Sequence, residues 1–192
     1  MKLTVLKLGG ELFEAVAVRE HIASAIVSSF LPSLPSSASA PRNALVVVHG
    51  GGKAIDAELA RRGIQPTKVD GLRITDADTL DAVIAVLAGS ANTSLVAALV
   101  ARGVKAVGLT GVDAGCGRAT IAPPLRAISG EIVDLGLVGD PTEADPALFR
   151  KHPKVSDPPR VLAPAVSLIA GELVASKIAA SSAYKPNHLI IP

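Results

Sequence analysis

A lysine, two runs of glycine and an arginine carry most of the chemical information in this sequence. Lys7 precedes Gly9 and Gly10 in KLGG, Gly50, Gly51 and Gly52 follow His49 in VVVHGGGKAID, and Arg73 stands in DGLRITDAD. Glycine loses the most backbone freedom on ordering, so three in succession need a local reason. Without side chains, their backbone N–H groups can approach an anion closely, and a helix starting at the last glycine adds a favourable dipole. Such a turn suits a phosphate or a carboxylate. The competing reading is a plain strand-to-helix turn, but two clusters, each after an apolar run, favour the cradle. A lysine is rarely buried without a partner, and from a strand end the Lys7 ammonium can reach the space above the sheet. Its competing reading is a side chain snorkelling to the surface. The Arg73 guanidinium suits a bidentate grip on a carboxylate. Its competing reading is an ion pair with Asp70 or Asp76.

Other reactive residues offer less. His49 reads as a packed strand-end histidine rather than a base. Cys116, with Arg118 nearby, has no evident His or acid partner and reads as inert. The four His and one Cys show no metal-ligand spacing, so no metal site is assigned. G-x-x-x-x-G-K-[ST] is absent and G-x-G-x-x-G follows neither strand, which disfavours a P-loop and a dinucleotide fold.

The elements that must position these residues alternate. Leu3–Leu8 reads as a buried strand, and residues 15–29 as a helix. The stretch FLPSLPSSASAPRNA reads as a surface loop, because its prolines forbid a regular helix. Ala44–His49 is a second strand, followed by a helix from Lys53 to about Arg62 that Gly63 stops. Asp76–Ala88 is predicted as a helix with Leu80, Val83, Ile84 and Leu87 on one face, capped by Thr75 with Asp78 three residues on. A further helix runs from Asn92 to Gly103, and Val104–Leu109 is a third strand. This order predicts parallel strands joined by right-handed crossovers, with ligands beyond the strands' carboxyl ends. The region RATIAPPLRAISGEIVDLGLVGDP predicts hairpins at the sheet edge. Val161–Val166 reads as another buried strand, Leu173–Ser181 as a helix and HLIIP as a last strand.

Composition agrees with an α/β class. About half of the 192 residues are hydrophobic but only 2% are aromatic, so the core must be aliphatic, as in a parallel sheet. The net charge of +2 is too small, and the basic residues too scattered, to argue for nucleic acid or an anionic membrane. One cysteine excludes an intrachain disulfide and fits a reducing compartment. The opening MKLTVLKLGGELFE is broken by lysines and acids and reads as neither a signal peptide nor a spanning segment. A soluble cytoplasmic protein is expected.

Taken in order, KLGG (7–10), VHGGG (48–52), GLRIT (71–75), LAGSANTSLVAAL (87–99) and AVGLTGVDAG (106–115) resemble the amino acid kinase family, and within it the N-acetylglutamate kinases. The resemblance implies a three-layer α/β/α sandwich with a mainly parallel central sheet, and a homodimer. It implies transfer of the γ-phosphoryl group of ATP, with Mg²⁺, to the γ-carboxylate of N-acetyl-L-glutamate. By the same resemblance Lys7 is catalytic, stabilising the transferring phosphoryl group. Gly9, Gly10 and Gly50 line the phosphate site, and Gly51, Gly52 and Arg73 bind the substrate, Arg73 through its α-carboxylate. One departure matters. Where the family carries N-x-N-A-D, this sequence has Ala170 and Glu172 in place of the second Asn and the Asp. A second catalytic lysine of the family has no counterpart; Lys177 lies in a different helix and is not assigned. Residues 1–192 thus read as a single amino acid kinase-type domain, mainly its amino acid-binding part, with the ATP-binding C-terminal part missing. A truncated kinase, a non-catalytic binder of acylated amino acids and half of a split kinase stay open. So does a related acidic substrate such as a carrier-linked aminoadipate.

Overall fold

The computed structural model describes residues 2–9, 15–30, 43–144 and 160–164. Gly10, the proline- and serine-rich stretch at 31–42, the helix expected at 173–181 and the final HLIIP strand lie outside the described residues. The elements are β1 (Lys2–Leu8), α1 (Val16–Phe30), β2 (Asn43–His49), α2 (Gly52–Arg61), β3 (Lys68–Val69), β4 (Leu72–Arg73), α3 (Ala77–Ile84), a π-helical segment (Ala85–Ala91), α4 (Asn92–Val100), β5 (Lys105–Leu109), β6 (Gly117–Ile121), β7 (Leu125–Arg126), β8 (Ile132–Val133), β9 (Gly139–Ala144) and β10 (Arg160–Pro164).

A four-stranded sheet in the order β1-β2-β10-β5 organises the molecule. All three pairings are parallel, with Lys7 opposite Val48, Leu162 opposite Val46 and Pro164 opposite Leu109. Successive side chains of a strand point to opposite faces. Leu6 and Leu8 of β1 and Leu45 and Val47 of β2 therefore share one face. There they form a core with Ala23 and Ile26 of α1 and Leu95, Ala98 and Leu99 of α4. Val46 and Val48, on the other face of β2, are buried as well. Burial on both faces explains why β2 reads as an unbroken apolar run. A second cluster joins Ile55 and Leu59 of α2 to Ala82 of α3 and Val86 of the π-helical segment.

Three details differ from the sequence reading. First, the two expected helices are one helical run, Ala77–Val100, and Gly89-Ser90 does not break it. The run widens there into the π-helical segment. Second, its cap is Asp76 rather than Thr75. Asp76 is extended, and its carboxylate accepts the Thr79 N–H at 2.8 Å. The Thr75 hydroxyl instead donates to the Arg73 carbonyl. Third, the buried face carries Thr79, Ala82 and Val86, whereas Ile84 is 53% exposed. Val83 and Leu87 pack, partly buried, against the same cluster on α2, so only Ile84 of the expected stripe is turned outward. The run is long and apolar enough to cross a membrane, with a mean hydropathy of 2.0. In this fold its second half is a core helix, with Leu95 and Leu99 fully buried against the sheet.

The segment after β5 is antiparallel, as expected. It does not extend the sheet edge, however: β6 pairs with β9 and β7 with β8, each as a separate two-stranded ladder.

Candidate functional site at the carboxyl ends of the strands

The parallel register sets the two glycine clusters side by side. Leu8 is opposite His49, so Gly9 and Gly50 leave the sheet as neighbours. Lys7 is exposed beside Val48, on the face opposite Leu6 and Leu8. Thr110, after β5, leaves the same end of the sheet.

Gly50 and Gly51 are buried and Gly52 is exposed as the first residue of α2. Gly51 needs its missing side chain for packing: a Cβ there would lie 3.0 Å from Leu87 Cδ2. The triglycine turn therefore rests directly on the π-helical segment. His49 is fully buried, with Nδ1 3.2 Å from the Gly50 carbonyl. Burial pushes its pKa down, against a smaller opposing pull from that carbonyl. A neutral, enclosed imidazole is a packing group, as the sequence suggested.

Arg73, on β4, reaches the same helix. Its Nη1 donates to Asp56 Oδ1 at 2.6 Å, and its side chain is only 12% exposed. The second oxygen of Asp56 accepts from Lys68 Nζ at 2.7 Å. Partial burial pushes the Asp56 carboxyl up, but the hydrogen bonds and charges of Lys68 and Arg73 outweigh it and hold the pKa below the ordinary value. The ion-pair partner is thus Asp56, not the neighbouring Asp70 or Asp76. Asp70 instead accepts the Ile128 N–H at 2.7 Å. Sequence reading missed Asp56 because it lies 17 residues before Arg73, on a different element, and only the fold brings the two together.

The GLRIT strand is pinned by backbone contacts. Ile74 N–H donates to Thr67, Thr75 N–H to Leu135, and Leu137 N–H to Thr75 at 2.7 Å. Gly136 permits this approach. It has φ +72, and a Cβ there would lie 2.5 Å from the Thr75 carbonyl oxygen. The structure thus joins Lys7, Gly9 and Gly50–Gly52 at one sheet end and ties Arg73 to them through α2. Gly10 lies outside the described residues. Cys116 is buried beside the Thr110 and Gly111 carbonyls. Among the described residues no group of three His, Cys, Asp or Glu could hold a metal ion.

The family model for the amino acid kinase family matches residues 2–154. The acetylglutamate kinase of Symbiobacterium thermophilum is 52% identical over 101 residues, covering 52% of this chain and 34% of that protein. Those of Solibacter usitatus and Myxococcus xanthus are 41% and 38% identical, covering 78% and 85% of this chain and 51% of each relative. The chain spans between a third and about half of the length of these curated relatives. Among solved structures, the Streptococcus mutans UA159 protein smu.665 superposes with a TM-score of 0.59 at 20% identity, over 93% of this chain and 68% of that one. N-acetylglutamate synthase from Neisseria gonorrhoeae gives 0.54 at 24% identity, over 84% and 33%. From its glycine turns to its fold, this chain belongs to the amino acid kinase family.

Proposed function

We propose that residues 1–192 are the amino acid-binding part of an acetylglutamate kinase-type protein, in which N-acetyl-L-glutamate is held for phosphorylation of its γ-carboxylate. The observation that carries this reading is the meeting of Lys7–Gly9 and Gly50–Gly52 at one sheet end, with a mostly buried arginine on β4 paired to Asp56 of the adjoining helix. Arg73 takes the α-carboxylate. The N–H groups of Gly51 and Gly52 face the reacting carboxylate. Gly9, Gly10, Gly50 and the Lys7 ammonium neutralise the phosphoryl group that ATP supplies. In that reaction a carboxylate oxygen forms the new P–O bond, the bond from the γ-phosphorus to the bridging oxygen breaks, and ADP departs. No proton must be removed from the nucleophile, so a buried, neutral His49 is no obstacle. The requirements are positioning and charge neutralisation, which glycine N–H groups and a lysine provide. The described residues contain no cluster suited to Mg²⁺, and no step here runs through it.

The three-layer sandwich and the homodimer implied by the resemblance belong to this reading. The exposed Ile84 is the apolar position on α3 that this reading places against a second copy. A second reading, a binder without turnover, is favoured by Ala170 and Glu172 at the N-x-N-A-D positions. ADP release with ATP, Mg²⁺ and N-acetyl-L-glutamate, run beside calorimetry, separates the two. Turnover lost in Lys7→Ala with amino acid binding retained supports the kinase. Binding without turnover leaves the binder, and absence of binding sinks both.

A further inference from the structure

Asp56 has no assigned role, yet it joins the two parts of the site. It lies one helical turn after Gly52, on the helix that begins at the triglycine turn. Its two oxygens are divided, one on Arg73 Nη1 and the other on Lys68 Nζ. Arg73 has five N–H donors on a rigid planar fork. Asp56 uses one nitrogen of that fork, and Nε and Nη2 have no hydrogen-bond partner among the described residues. A mostly buried guanidinium is therefore held at one corner, while its other N–H edge makes no hydrogen bond among the described residues. Charge points the same way. A carboxylate beside a lone arginine would cancel its attraction for an anion, but Lys68 compensates, and the Asp56–Lys68–Arg73 trio stays net cationic.

We propose that Asp56 is a positioning residue: it clamps one corner of Arg73 so that the Nε/Nη2 edge is presented to the substrate carboxylate, while Lys68 keeps the trio cationic. The proposal rests on the reading of Arg73 as the carboxylate grip. Because Asp56 sits on α2, the clamp also fixes the distance from that carboxylate to the glycine turn. A pocket supported in this way loses affinity when the supporting group goes, even though that group never touches the ligand.

The test is calorimetry of the full chain with N-acetyl-L-glutamate, beside ¹⁵N-arginine NMR of the Arg73 Nε–H and a melting curve for each variant. Asp56→Ala should weaken binding about tenfold, as expected for losing a half-buried charged partner, and broaden the Arg73 Nε–H signal. Asp56→Asn, which keeps an acceptor but not the charge, should fall between. Asp56→Glu should restore part of the affinity. If Asp56→Ala does not fold, the near-isosteric Asn variant decides. If Arg73→Ala binds like the parent, or the parent does not bind, the reading of Arg73 falls and takes the clamp with it. If Arg73→Ala abolishes binding while the Asp56 variants bind as tightly as the parent or more tightly, the clamp alone is wrong. Weaker binding with an unchanged Arg73 Nε–H signal marks a merely structural role and also overturns it.

Discussion

The two sides of the candidate site are built by different physics. Lys7, Gly9 and Gly50–Gly52 stand on strands locked into a parallel sheet, above an aliphatic core of Leu6, Leu8, Leu45, Val47, Leu95 and Leu99. Arg73 stands on a two-residue ladder held by an ion pair, an Asp70 contact and the Thr75–Gly136 bridge. Core burial is non-directional and is not screened by salt, whereas ion pairs are directional, and the more exposed Lys68 end of this trio is open to screening. The glycine side should therefore act as the firmer platform, and alteration of the arginine side should leave the core folded.

Four measurements press on that contrast. The largest effect is expected from Leu99→Ala, which empties a fully buried position and should cost about 2–5 kcal/mol in denaturant unfolding. It should weaken both sides together. Gly136→Ala should cost about 1–3 kcal/mol, because it places a Cβ against the Thr75 carbonyl at a positive φ. Here N-acetyl-L-glutamate affinity should fall while core amides keep their hydrogen-exchange protection. Loss of protection across β1 and β2 would show that the two sides are not separable. Arg102→Ala comes next. Its guanidinium donates to the Ala98 and Glu20 carbonyls and pairs with Glu20 at 2.7 Å, tying α4 to α1. About 1–2 kcal/mol should be lost, with ligand affinity unchanged.

The smallest effect is one of pH, and it separates the sides by sign and window. The His49 pKa is lowered from 6.5. Below about that pH the unfolded chain takes up a proton that the folded one refuses, so stability should decline as pH falls from 7.5 to 5.5. The decline should vanish in His49→Gln. The Asp56 pKa is lowered from 3.8, so its contribution is complete above that value and is lost only as pH falls through the folded pKa. A melting temperature flat between pH 7.5 and 5.5 would remove the His49 part.

The platform was the more legible side. Runs such as LVVV are apolar because both faces of β2 are covered, and the glycines mark where the strands end. The arginine side was legible in identity but not in contacts. Asp70 and Asp76 were the visible partners for Arg73 because they are near in sequence, while Asp56 arrives from another element. The α3 face was legible in part. Val83 and Leu87 of the apolar stripe do pack on the α2 cluster, but the centre of the buried face falls on Thr79 and Ala82, and Ile84 is left exposed. The sequence reading ended one helix at Ala88 and began the next at Asn92, but packing of Leu87 against Gly51 and a Ser90 hydroxyl bond to the Val86 carbonyl accompany a continuous run.

The insertion of β10 between β2 and β5 has a consequence for the newborn chain. When β5 leaves the ribosome, β2 has only one neighbour, and its second edge must wait for Arg160–Pro164. At roughly 5–20 residues per second that wait lasts on the order of seconds. Throughout it, two apolar strands present unpaired N–H and C=O groups. A chaperone that shields strand edges would find its client in this interval, and aggregation during expression should depend on how quickly β10 is delivered.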